Sequence, residues 1–452
     1  MTQHPTPHDL PHALQGNRIG RRHALWLLGA AAGASTLGAL QGCAQSPVTG
    51  ERILVGMSEA QERAVDTQVA PHQFSQDLGA VQDAGLNRYV SELGQRLHKL
   101  SHRPDMPYSY RVLNANYVNA YTFPGGAMGV TRGILADMKD ESQLAALLGH
   151  ELGHVNARHA AQRQGQALVA QVAVIGVNVA AQNSRWADLG AIGSQIGASA
   201  LLASYSREHE READALGQEY LVRAGYPASG MTDLHQLLVD QEKEAPSLLA
   251  TLFSSHPMSS ERRATAAQQA QTRYASSAGL PRQRERLMDN TASLRRIKPT
   301  IDACQRGETA LSAKKADAAQ REFSAALKHT PEDYASHVRM AQCLQAMGRS
   351  REAQAHAEQA QRIYPQEAQA HKLGGVLALS LRDPAKAYEG LHRFDQLLPG
   401  DPGVMFLKGV SLEGMGQRER AAQHYSAFLR SSAQGDAAQY AVSRLRGWGY
   451  LR

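Results

Sequence analysis

The segment Gly149-His150-Glu151-Leu152-Gly153-His154 places two histidines four residues apart, with a glutamate directly after the first. Residues four apart share one face of a helix. On a helix, His150 and His154 can therefore present two ring nitrogens to one zinc ion at about 2.1 Å. Glu151 projects beside them, where it can take a proton from a water activated by that ion. Two histidines leave the coordination incomplete, so a third ligand must come from elsewhere in the chain.

The stretch Tyr205-Ser206-Arg207-Glu208-His209-Glu210-Arg211-Glu212-Ala213-Asp214 supplies candidates. Glu210 and Asp214 are four apart and share a helical face. Glu210 is the candidate third ligand. Asp214 is the candidate acceptor for the outer N–H of a ligating histidine, which would fix its tautomer. Glu208, Glu212 and His209 compete for the ligand role. Two histidines, one glutamate and a water form a catalytic zinc set with one open position.

HELGH followed by SREHEREAD resembles the zinc metallopeptidases of family forty-eight. Their second motif has the form SRxxExEAD, and its first ExEAD glutamate is the ligand, which corresponds to Glu210. Asn119-Ala120-Tyr121-Thr122-Phe123-Pro124-Gly125-Gly126 is similar to the family's NAxxxPGG segment, and His256-Pro257 with Arg262 matches a further one. The likeness spans roughly residues 57 to 275. It implies a zincin-like α+β domain of the gluzincin type, one zinc per chain, and a metalloendopeptidase acting on protein or peptide substrates.

The elements that must carry these residues are mostly helical. Leu144, Leu147, Leu148, Leu152 and Val155 recur at helical spacing around HELGH, with Asp140 or Ser142 available as cap. Residues 57–69 and 86–100 also read as helices. Tyr108–Leu113, Val118–Tyr121 and Met128–Thr131 read as strands, with Pro124-Gly125-Gly126 as a turn. Asn119, Ala120 and Tyr121 are then candidates for a strand edge that binds substrate backbone. Pro257 holds His256 extended, so its imidazole can stabilise an oxyanion or occupy the open zinc position; a surface histidine in a turn is the other reading. The runs Ala167–Ala181 and Leu189–Ala203 fall short of a membrane span of about 20 apolar residues and read as buried helices. Between them, Arg185 and Trp186 could belong to a loop over the cleft.

The 452 residues include 42% hydrophobic and 6% aromatic side chains, a composition that favours helices over sheets. The net charge of +6 forms no basic stripe interleaved with aromatics, which argues against nucleic-acid binding. Three cysteines, Cys43, Cys304 and Cys343, are too few for a disulfide framework. Arg18, Arg21, Arg22 and His23 precede an uncharged run, and Leu40-Gln41-Gly42-Cys43 resembles a bacterial lipobox. Residues 1–42 thus read as an export signal, with Arg21-Arg22 resembling a twin-arginine type. Cys43 is the candidate lipidation site, and residues 43–56 read as its tether. The implied location is the periplasm, anchored to the outer membrane, with a soluble periplasmic form as the alternative.

Residues 57–280 form the expected peptidase domain and residues 281–299, polar and bracketed by prolines, the expected linker. Beyond it the chain repeats every 34 residues. Ala319, Phe323, Ala326 and Pro331 recur as Ala353, Ala357, Ala360 and Pro365, then as Ala387, Leu391, Phe394 and Pro399, then as Ala421, Tyr425 and Phe428. This period resembles tetratricopeptide repeats. Four repeats over 300–433 and a capping helix over 434–452 imply a solenoid that binds proteins. The expectation for the whole is a mainly α protein, a zinc endopeptidase of the cell envelope whose repeats recruit envelope proteins. A chaperone or assembly scaffold with a latent peptidase site is the alternative.

Overall fold

The computed structural model describes residues 42–167, 204–244, 246–431 and 434–451. The expected export segment, the apolar runs between residues 168 and 203 and the loop at Arg185 and Trp186 lie outside them. The chain divides into two compact units, one over residues 35–305 and the other containing 306–452. No described helix is long and apolar enough to cross a membrane.

In the first unit, strands β1 (Ala44–Gln45) and β2 (Arg52–Ile53) form a short antiparallel ribbon. The Ser46 N–H donates to the Glu51 carbonyl at 2.7 Å and closes its turn. Just beyond, the Gly56 N–H donates to the Ala161 carbonyl at 2.8 Å, docking the ribbon on helical residues 159–167. The segment expected as a tether, residues 43–56, is thus an ordered ribbon docked on the first unit. Composition revealed small polar residues but not the ladder and the small apolar cluster of Val55, Met57 and Ala161 that fix them. Cys43 itself is exposed.

A three-stranded sheet follows, from β3 (Ser109–Leu113), β4 (Ala120–Thr122) and β5 (Ala127–Thr131), in the order β3-β5-β4. β4 and β5 form a hairpin around Pro124-Gly125-Gly126, with Ala120 opposite Val130, while β3 runs parallel to β5. β4 is thus an edge strand, and it packs against helix Glu141–Asn156. The hairpin turn is fixed from helix Glu59–Gln76, where the Asp66 carboxylate accepts N–H bonds from Gly125 at 2.7 Å and Ala127 at 2.6 Å. Glycine is required at position 125, because a Cβ there would lie 2.7 Å from the Asp66 Cγ.

Helix Glu141–Asn156 starts at the Asp140 cap and is buried at every position. Helix Arg207–Arg223 starts at the Ser206 cap and packs across it. Small residues line the crossing. A Cβ on Gly153 would stand 2.8 Å from the Ala213 backbone, and one on Gly217 would stand 3.0 Å from the His150 nitrogen. The two helices carrying the motif residues can therefore approach backbone to backbone. Helices Ser229–Glu244, Pro246–Ser255 and Ser260–Gln271 complete the surround.

The segment 281–299 is not a linker. It folds as helices Arg284–Asn290 and Ala292–Arg296, and Leu287 and Leu294 enter the core of the first unit. Arg286 pairs with the fully buried Glu141 carboxylate, which also accepts from the hydroxyls of Tyr89, at 2.8 Å, and Tyr226. Arg286, one of the charged residues that suggested solvent exposure, is instead the partner of a buried acid.

The second unit is built of helix pairs. Ala316–His329 follows Lys298–Ser312, Ser350–Ile363 follows Tyr334–Ala346, Pro384–Leu397 follows Ala368–Ser380, and Arg418–Ser431 follows Pro402–Gly414, with Asp436–Gly447 last. Ala319, Ala353, Ala387 and Ala421 are completely buried. Gly375 and Gly409 allow close contact with the Leu391 and Tyr425 side chains. Buried Cys304 and Cys343 form no disulfide among the described residues.

Two outcomes follow from the packing. Gly153→Ala should force the crossing apart and lower stability by about 1–3 kcal/mol, read as a shifted urea midpoint; an unchanged midpoint would show that the close approach is not needed. Burial, aided by Glu62, pushes Asp66 up to about 7 against the pull of its two backbone N–H bonds. The unfolded value is about 4, so the native state takes up a proton first as pH falls, and this group stabilises the fold as pH drops from above 7 towards 4. A carboxyl-carbon NMR titration should show the Asp66 midpoint well above 5; a midpoint near 4 would contradict it.

Candidate metal centre

Helix Glu141–Asn156 presents His150, Glu151 and His154 one turn apart, and helix Arg207–Arg223 brings Glu210 to them across the glycine-lined crossing. The Nε2 atoms of His150 and His154 are 3.1 Å apart. Glu210 Oε1 lies 3.4 Å from His154 Nε2, and Glu210 Oε2 lies 3.6 Å from His150 Nε2. His256, from the turn after helix Pro246–Ser255, joins them: its Nδ1 donates to Glu210 Oε1 at 3.0 Å. One ligand atom from each of His150, His154, Glu210 and His256 falls within 4.8 Å of the others, and all four residues are buried.

Of the competing acids, Glu208 faces solvent, with 76% of its side chain exposed. Glu212 turns to His159, whose Nε2 is 3.1 Å from Glu212 Oε2. His209 stacks on His159 with ring centroids 4.2 Å apart. Glu210 alone among these candidates enters the cluster.

The set suits a cation. Asp214 Oδ1 lies 2.9 Å from His150 Nδ1, and a carboxylate can only accept, so His150 carries its proton on Nδ1 and leaves Nε2 as a lone pair. That lone pair faces His154 Nε2 and a carboxylate oxygen, with His256 Nδ1 3.4 Å away. Ligand atoms about 2.1 Å from a tetrahedral ion lie about 3.4 Å apart, close to the spacings found. Two imidazole nitrogens and one carboxylate form a donor set for zinc-like ions. Glu151 Oε2 is buried with no hydrogen-bond partner among the described residues.

Charges around the cluster are balanced by Arg262. Its guanidinium reaches Asp214 Oδ2 at 2.7 Å, Asp214 Oδ1 at 2.8 Å and Glu210 Oε2 at 2.6 Å. His235 Nε2 also lies 3.3 Å from Asp214 Oδ1. Burial opposes the charge on Glu210, but His256, His154 and His150 outweigh it and hold the carboxyl well below its usual range. Asp214 is held low in the same way, against burial, by His235 and Arg262. Glu151 goes the other way: burial pushes it up, only partly offset by His256 and His150. Burial also drives His154 well below its usual value, so its ring is neutral, as a ligand must be.

Asn119, Ala120 and Tyr121 lie on or beside the edge strand β4. The Asn119 N–H donates to Thr131 Oγ1 at 3.1 Å, while its side-chain oxygen is buried without a partner among the described residues. The Tyr121 hydroxyl donates to Asp77 at 2.5 Å. Sequence reasoning named Arg262 without a role and missed His159, His235 and Tyr205. Tyr205 stacks on His154 with centroids 3.8 Å apart. The nearest signal for His159 was the Arg158-His159 pair just past the HELGH helix.

Comparison with known families aligns residues 84–270 with peptidase family M48 and residues 310–376 with a tetratricopeptide repeat. A beta-barrel assembly-enhancing protease of Yersinia pestis is 30% identical over 240 residues, covering 51% of this chain and 48% of that protein. Its counterpart from Escherichia coli strain K12 is 29% identical over 194 residues, covering 41% of this chain and 39% of that protein. This chain thus spans about half or less of the length of these curated relatives. Metalloprotease YcaL of Escherichia coli strain K12 is 32% identical over 181 residues, covering 38% of this chain and 68% of that protein. With HELGH and Glu210 meeting in one buried cluster, and these likenesses centred on the same unit, the chain belongs to peptidase family M48 and carries a tetratricopeptide repeat beyond its peptidase unit.

Proposed function

We propose that this chain is a zinc-dependent endopeptidase of the bacterial envelope, acting in quality control or assembly of outer-membrane and periplasmic proteins. The observation that carries the reading is the buried convergence of His150, His154 and Glu210 with Glu151 beside them. The names of the relatives support the envelope role.

Zinc held by His150, His154 and Glu210 would supply a Lewis acid that acidifies water and polarises a peptide carbonyl. Asp214 orients His150 for that role. Glu151, raised by burial and with a free oxygen, accepts the proton of the attacking water and returns it to the leaving amine. His256, whose Nε2 lies 3.9 Å from Glu151 Oε1, is placed to donate to the developing oxyanion. The outer edge of β4, where Asn119 and Ala120 are buried and Tyr121 is half-buried, would bind the substrate backbone as an added strand. The helix pairs of the second unit would recruit the protein partner. Acylation of exposed Cys43 would hold the peptidase unit close to the outer membrane, because the β1–β2 ribbon leaves little slack.

One observation favours a second reading. His256 already sits within the ligand cluster, so it could occupy the fourth zinc position and keep the site latent while the repeats act as a chaperone or assembly scaffold. The Glu151→Gln variant separates the two. It should bind one zinc per chain yet digest casein at least about 100-fold more slowly than the native chain. Casein digestion at the native rate would overturn the proposed role of Glu151. Wild-type envelope-stress phenotypes in a Glu151→Gln strain, lost only when residues 306–452 are deleted, would favour the scaffold.

A further inference from the structure

His159 is completely buried yet has no part in the mechanism above. Its Nδ1 lies 2.9 Å from the Nδ1 of His154, and its Nε2 lies 3.1 Å from Glu212 Oε2. We infer that His159 and Glu212 are positioning residues that keep the proton of His154 on Nδ1, so that Nε2 is free for the metal. The inference rests on the zinc reading above.

The proton assignment follows from the far end of the chain. A carboxylate can only accept, so the hydrogen bond to Glu212 requires a proton on His159 Nε2. A neutral His159 then has a lone pair on Nδ1, and His154 Nδ1 must be the donor across the 2.9 Å contact. The opposite tautomer of His159 would point a lone pair at the Glu212 carboxylate. His209, stacked 4.2 Å away, and Tyr205, at 6.1 Å, shield the ring from water and favour its neutral form.

The local backbone shows how the ring is brought back. Helix Glu141–Asn156 ends at Ala157, and Arg158 takes a positive φ of 60°. That left-handed conformation is unfavourable for a residue with a side chain. It is stabilised by Arg158 Nε donating to Glu62 at 2.8 Å and its guanidinium donating to the Met57 carbonyl at 2.9 Å. The turn lets His159 fall beside His154 instead of continuing round the helix.

The result gives alternate acids of one helix three tasks. Glu210 enters the metal cluster, Asp214 holds the outer nitrogen of His150 directly, and Glu212 holds that of His154 through His159. Partners of this kind typically contribute about 10–100-fold to metal affinity.

The test is zinc affinity of the full chain by competition with a chromogenic chelator, which does not depend on catalysis. His159→Leu removes the acceptor and should weaken zinc binding about 10–100-fold. His159→Gln keeps an acceptor oxygen and should stay within a few-fold of the native chain. Native-like affinity in a folded His159→Leu protein, or equal losses in both variants, would overturn the inference while leaving the zinc site intact. A native chain that binds no zinc would overturn both. If the leucine variant does not fold, nitrogen-15 NMR of the zinc-free native chain decides: a proton on His154 Nδ1 supports the assignment, and one on Nε2 overturns it.

Discussion

Everything in the peptidase unit depends on two helices coming closer than ordinary side chains allow. Gly149 and Gly153 on one, and Ala213 and Gly217 on the other, leave backbone against backbone at the crossing. These small residues are interleaved with His150, His154, Glu210 and Asp214 on the same two helices. Close approach and ligand placement are therefore one constraint. Larger residues at the crossing would separate the imidazoles from Glu210 and stretch the His150–Asp214 hydrogen bond that spans the same two helices.

Such proximity gathers charge in a buried place. Glu151, Glu210 and Asp214 are all buried, and an isolated buried carboxylate is costly. Arg262 offsets two of them, and His150, His154 and His256 surround the third side. Glu151 is left with the weakest support, and its carboxyl is correspondingly shifted upward. The same arrangement that stabilises Glu210 as an anion thus keeps Glu151 ready to take a proton. A second layer of ion pairs, buried Glu62 with Arg158 and buried Glu141 with half-buried Arg286, lies at the two ends of the HELGH helix.

Local periodicity made the ligand helices legible. The four-residue spacing of His150 and His154, and that of Glu210 and Asp214, states the shared faces directly. Spacing alone left Glu208 in contention, because Glu208 and Glu212 are also four apart; the structure puts Glu208 on the solvent face. The 34-residue period exposed the helix pairs because the same small residues recur at each crossing. What stayed hidden depends on distant contacts. Leu287 and Leu294 sit among arginines and read as linker until Glu141 is seen waiting for Arg286. Residues 43–56 have no strong strand pattern and are ordered by docking on Ala161. His159 was lost because Arg158 leaves the helical conformation and breaks the periodicity that would have placed it. The parallel pairing of β3 with β5 joins a strand to the second arm of the hairpin that follows it, which no adjacent pattern reveals.

The most direct measurement is an anomalous-scattering map at the zinc edge from crystals of the full chain. The account predicts one strong peak per chain, about 2.0–2.2 Å from His150 Nε2, His154 Nε2 and a Glu210 oxygen. A peak bound elsewhere, or held by the two histidines with Glu210 turned away, would contradict it.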